Sequence, residues 1–240
     1  MLALAWWQYR GVSKPVGNSP TATSLRQLTT PQAAALAGVL FALLFGAVLI
    51  LIRTKMPESV AGSEEWLNSR RGGIATAAVL MPFAGISFLW FIGVVRDGFG
   101  RYEDRFFSTV FLGSGLLFLA MMFVAMSVAG GLVATQNALT NAGAHVEMID
   151  LSKMMVLSAS KTYATRMAAV FMMSLATIWL RTGLMPRWLV VLSYVVAVAQ
   201  LVAGDLSMWV TMAFPVWVLV VSGLLLARSG LFEELRDRPA

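Results

Sequence analysis

The chain has 240 residues, of which 58% are hydrophobic and 12% charged, with a net charge of +6. A soluble domain needs far more polar surface than that to cover itself, so the composition predicts an all-α, polytopic transmembrane helical bundle. Cysteine is absent and histidine occurs once. That excludes disulfides, thiolate nucleophiles, iron–sulfur clusters, covalently attached or bis-histidine haem and histidine-rich metal sites, and no cofactor is expected.

Residues 1–32 read as a flexible N-terminal tail. Met1 to Thr30 lacks the basic start and the long apolar run of a signal peptide, while Trp6, Trp7 and Tyr9 suit the headgroup zone. A spanning helix needs roughly 20 mostly apolar residues. Six windows qualify, at about 33–52, 73–95, 106–134, 162–180, 188–204 and 206–227. They make one membrane domain over 33–227, and 228–240 is a short C-terminal tail. No stretch outside the spans is long enough for a second folded domain.

In span one, Gly38, Ala42 and Gly46 stand four residues apart, a small-residue stripe that admits a close neighbour. It suits a dimer interface or, preferably, packing within the bundle. Pro82 in span two and Pro215 in span six each fall about ten residues into their helices, so both are expected to kink them, freeing the carbonyls of Ala78 and Thr211. Paired broken helices mark some transport sites, although spans two and six are not equivalent positions of an inverted repeat.

Between spans two and three, Arg96, Asp97, Arg101, Glu103, Asp104 and Arg105 crowd a loop with Gly98 and Gly100 at its reversal. This loop is a candidate docking surface for a cytoplasmic partner; a capped, lipid-anchored hairpin is the preferred reading. The connection after span three carries His145, Glu147, Asp150, Lys153 and Lys161, with Arg166 just inside span four and Asp205 at the reversal between spans five and six. An ionisable group inside a span is a functional candidate by default. Arg166 with Asp205, Glu147 or Asp150 makes a candidate polar or ligand site, against the plainer reading of a snorkelling arginine and a helix-capping aspartate. Residues 146–158 mix apolar and charged side chains as a short interfacial helix would. Ser158-Ala-Ser-Lys161 matches a Ser-x-x-Lys pattern, but its companion motifs are missing. Fifteen methionines read as apolar filler rather than a copper relay. Trp90, Trp179, Trp188 and Trp209 are placed as an aromatic belt.

The basic residues lie singly or in pairs at span ends, which suits anionic headgroups and not nucleic acid. Eleven lysines and arginines fall on the side of the two termini and seven on the other, so both termini are expected in the cytoplasm.

The runs Trp90-Phe-Ile-Gly, Glu103-Asp-Arg-Phe-Phe, Val110-Phe-Leu-Gly-Ser-Gly115 and Arg181-Thr-Gly-Leu-Met-Pro-Arg-Trp188 resemble those of uncharacterised multi-pass membrane proteins of actinobacteria, over most of residues 75–225. The resemblance implies a bacterial plasma-membrane location and assigns no activity. With no nucleophile–base pair or metal cluster in view, the residues point to a non-enzymatic membrane component: an accessory or scaffold subunit, or a lipid-binding protein, with a membrane protein partner or as a homo-oligomer. The alternative is a small transporter or channel using kinked spans two and six with Arg166 and Asp205.

Overall fold

The computed structural model describes residues 30–55, 63–97, 105–135, 142–204 and 208–228. Among these residues the fold is all helix. Its elements are α1 (Thr30–Lys55), α2 (Ser63–Asp97), α3 (Arg105–Thr135), α4 (Ala142–Leu157), a π-helical segment (Ser158–Ala164), α5 (Thr165–Thr182), α6 (Arg187–Ala203), a 3-10 turn (Met208–Met212) and α7 (Ala213–Arg228). Five helical runs are long and apolar enough to cross a membrane, and α6 is a shorter apolar helix. At 17 residues it reaches about 25 Å, just under the hydrocarbon thickness of about 30 Å.

The outer surface explains where such a bundle belongs. Leu43, Val79, Phe83, Leu117, Val191 and Val202 are among many large apolar side chains that stand exposed on it. No water-facing protein sustains an apolar perimeter of that extent, whereas in lipid it costs nothing. The helices also satisfy their own backbone groups, as hydrocarbon demands.

The helices form a ring. α1 packs most extensively on α2 and then on α7; α3 packs on α2 and α5; and α5 packs on α6. Six phenylalanines fill the centre: Phe41 and Phe45 from α1, Phe88 from α2, Phe118 from α3, Phe171 from α5 and Phe214 from α7. Their contacting rings have centroids 4.5 to 6.5 Å apart. α6 supplies no phenylalanine; its Leu189, Val190 and Ala197 are buried in the core, and hydrogen bonds fasten it as well. Trp217 Nε1 donates to Ser193 Oγ at 2.8 Å, and Tyr194 and Thr177 share a hydroxyl–hydroxyl bond of 2.7 Å.

Gly38 takes the bundle-packing role. A Cβ built there would lie 2.0 Å from Ser222 Oγ and 2.7 Å from Phe91 Cδ2, so only glycine lets α1 sit against both α7 and α2. The same contact shows that α1 begins and α7 ends at one end of the bundle.

Three expectations change. First, the helix expected over 146–158 exists as α4, but it is not a separate interfacial element. Backbone angles stay helical at Leu157 and Thr165 on either side of the π segment, so α4 and α5 form one run. From Ala144 to Thr182 there is neither glycine nor proline to end it. The apolar part, Val146–Thr182, has 37 residues, about 55 Å of helix, and overshoots a bilayer core. Gly183, with φ of 66° and its N–H bonded to Trp179 O, then stops it. Second, Pro215 does not lie mid-helix. It is the third residue of α7, after the 3-10 turn, where its missing N–H is one the helix start leaves unbonded anyway. Pro82 does lie within α2, on its exposed side. Third, Trp179 is only 3% exposed and packs on Trp217 at 6.1 Å. It belongs to the core, while Trp90 and Trp188 are exposed as a belt requires.

Candidate functional site

Polar residues gather at the two ends of the bundle, in different ways. At the end where α1 begins and α7 finishes, arginine side chains stand outside the helices as a collar. Arg96 ends α2, Arg105 opens α3, Arg181 ends α5, Arg187 opens α6 and Arg228 ends α7; all five are exposed. Arg181 lies over the Phe107 ring, 4.7 Å from its centroid, a cation–π contact. Arg228 donates to the carbonyl of Leu184 in the α5–α6 turn. Asp97 is the one acid beside them among the described residues.

At the far end several polar groups are inside. Arg53, in the last turn of α1, is 8% exposed and donates from Nη2 to Thr211 Oγ1 in the 3-10 turn at 3.3 Å. Lys153 of α4 is 3% exposed. Gln200 of α6 is 1% exposed and donates from Nε2 to Val210 O at 3.3 Å. Its burial follows from helix periodicity, because Leu189, Ser193, Ala197 and Gln200 share the inward face of α6. The 3-10 turn is thereby held by α1 on one side and by α6 on the other.

The π segment borders this cluster. π turns widen a helix and occur often at functional sites. Side chains donate to carbonyls in and beside it: Ser160 Oγ to Val156 O at 2.7 Å, Thr165 Oγ1 to Ser160 O at 3.2 Å, and Arg166 Nη1 to Thr162 O at 3.1 Å. The Ser-x-x-Lys run falls wholly within the segment, with Ser158 exposed.

Of the residues singled out for a polar or ligand site, Arg166 is half-buried and bonds its own helix, Glu147 is exposed, and Asp150 is half-buried; Asp205 lies outside the described residues. Of the loop candidates, Arg96, Asp97 and Arg105 join the collar, while Arg101, Glu103 and Asp104 also lie outside the described residues. Sequence reasoning missed Arg53, Lys153, Gln200 and Thr211 as inward-facing groups. One signal was present for Gln200: it is the single amide in an otherwise apolar window, where a polar side chain calls for a partner.

Methionines 122, 126 and 172 are buried among the core side chains, which is the filling role. Comparison with protein-family models, with curated proteins and with solved structures finds no match for this chain.

Proposed function

We propose that this protein is a non-enzymatic component of a bacterial plasma membrane, a lipid-binding accessory or scaffold subunit that holds anionic headgroups at its arginine collar. The observation that carries this reading is the charge at that end: five exposed arginines and one aspartate among the described residues. Arginine presents a planar fork of donors suited to phosphate, and basic residues near a bilayer surface gain about 1 kcal/mol each from anionic lipid. The same bias favours a cytoplasmic location for the collar and for both termini.

A transporter built on kinked spans two and six receives less support. Pro82 faces outward, Pro215 lies in the first turn of α7, and phenylalanine rings occupy the space between the helices. The likeness to actinobacterial multi-pass proteins fits a plasma-membrane site and adds no activity.

The test is native mass spectrometry of the protein released gently from membranes, together with an Arg105→Gln/Arg187→Gln variant. Retained phosphatidylglycerol or cardiolipin that the variant loses supports the lipid-binding reading. A stoichiometric protein partner on wild type supports the accessory role. Equal retention of zwitterionic and anionic lipid by both proteins, with no partner, ends the proposal.

A further inference from the structure

At the far end of the bundle a small cavity lies between α1, α3, α5, α6 and α7. Its volume is about 10 Å³, close to the least space that holds one water. Phenylalanine rings line one side, and Ser160, Thr165, Gln200 and Thr211 line the other.

One acceptor on the polar wall is unmet. Gln200 Oε1 is buried with no hydrogen-bond partner. Its orientation follows from the bond that Nε2 makes to Val210 O, since a flipped amide would set two acceptors against each other. The hydroxyl hydrogens of Ser160 and Thr165 are already committed to Val156 O and Ser160 O. What remains on those oxygens is lone pairs. A buried acceptor left in this state costs free energy that a small donor recovers.

The same wall narrows what the donor is. Lone pairs repel an anion. The Arg53 guanidinium, bonded to Thr211 on this wall, disfavours a cation, and the lining residues include no carboxylate. Water is neutral, small enough, and brings two hydrogens. We propose that this cavity is a binding site for one ordered water, which donates to Gln200 Oε1 and to a hydroxyl oxygen of Ser160 or Thr165. Such a water ties the π segment or the first turn of α5 to α6, and through Val210 to the turn that precedes α7.

The experiment is a structure of the full-length protein in lipid nanodiscs, at a resolution that shows ordered water, for wild type and Gln200→Leu. Melting of the wild type in sodium chloride and in choline chloride accompanies it. The expected result is one density peak within hydrogen-bond distance of Gln200 Oε1, lost in Gln200→Leu, with the same Tm in both salts. A dry cavity in the wild type overturns the proposal. So does a Tm raised by sodium and not by choline, which assigns the site to a cation. The wild-type density and the salt comparison decide the matter even where the variant fails to fold.

Discussion

The two ends of the bundle use the same kind of residue to opposite effect. At the collar, arginines are exposed and held lightly, Arg181 by an aromatic face and Arg228 by a carbonyl. At the far end, Arg53 and Lys153 are nearly excluded from the surface, Arg53 bonded to Thr211. A rim arginine keeps its solvation, so its effect is on what binds there. A buried cation has given up solvation and must recover it within the fold, so its effect is on stability. Counting charges per side of a membrane therefore groups together residues that do unrelated work.

Four measurements test this contrast. The largest effect is expected at the collar end, and it concerns volume, not charge. Gly38→Leu drives a side chain into Ser222 and Phe91 and should cost about 3 kcal/mol, read as a fall in Tm. Gly46→Ala, with open space around its Cβ position, should leave Tm unchanged. If both behave alike, the close approach of α1 to α7 and α2 is wrong. Next comes Arg53→Ala at the far end. It removes a charged hydrogen bond and a packed stem, an expected loss of about 2–3 kcal/mol, or roughly 4–12 °C in Tm. Should this variant melt with the wild type, the claim that the far end is structural fails.

Smaller effects follow. Trp217→Phe and Tyr194→Phe each remove one of the hydrogen bonds that fasten α6. Such bonds average about 0.6 kcal/mol within membranes, so each change should register as a slight loss in reversible unfolding, and together they should loosen α6 in hydrogen exchange. Smallest in stability is Arg105→Gln/Arg187→Gln, each change expected within about 0.5 kcal/mol. Its effect should appear only as lost preference for anionic lipid in nanodisc competition. A marked fall in Tm for this pair would erase the distinction between the ends.

Much of the architecture was legible. The apolar windows mark the spans because hydrocarbon admits only self-bonded helices. Of the stripe Gly38, Ala42 and Gly46, Gly38 marks a close helix contact while Gly46 has open space at its Cβ position. The unbroken run from α4 into α5 was also legible in the absence of glycine and proline from Ala144 to Thr182. It was obscured by charges that suggested an interface helix. Pro215 was misplaced because a hydropathy window does not see where the chain changes from 3-10 to α geometry.

The candidate site was legible only in part. Arg105 and Arg96 at helix ends are a local pattern, and the collar follows from it once helices alternate in direction. Arg53 looks the same in the chain as Arg96: a basic residue closing a span. Only the 3-10 turn lying over the end of α1 makes one of them buried.

Class and the approximate placement of the apolar helices thus follow from the chain itself, because they depend on composition and on the conformational limits of individual residues. Packing alone sets which cations are enclosed, that Gln200 buries an unbonded oxygen, and that six phenylalanine rings close the centre. Those outcomes depend on which face of each helix meets which neighbour, and that is settled by packing all the helices at once.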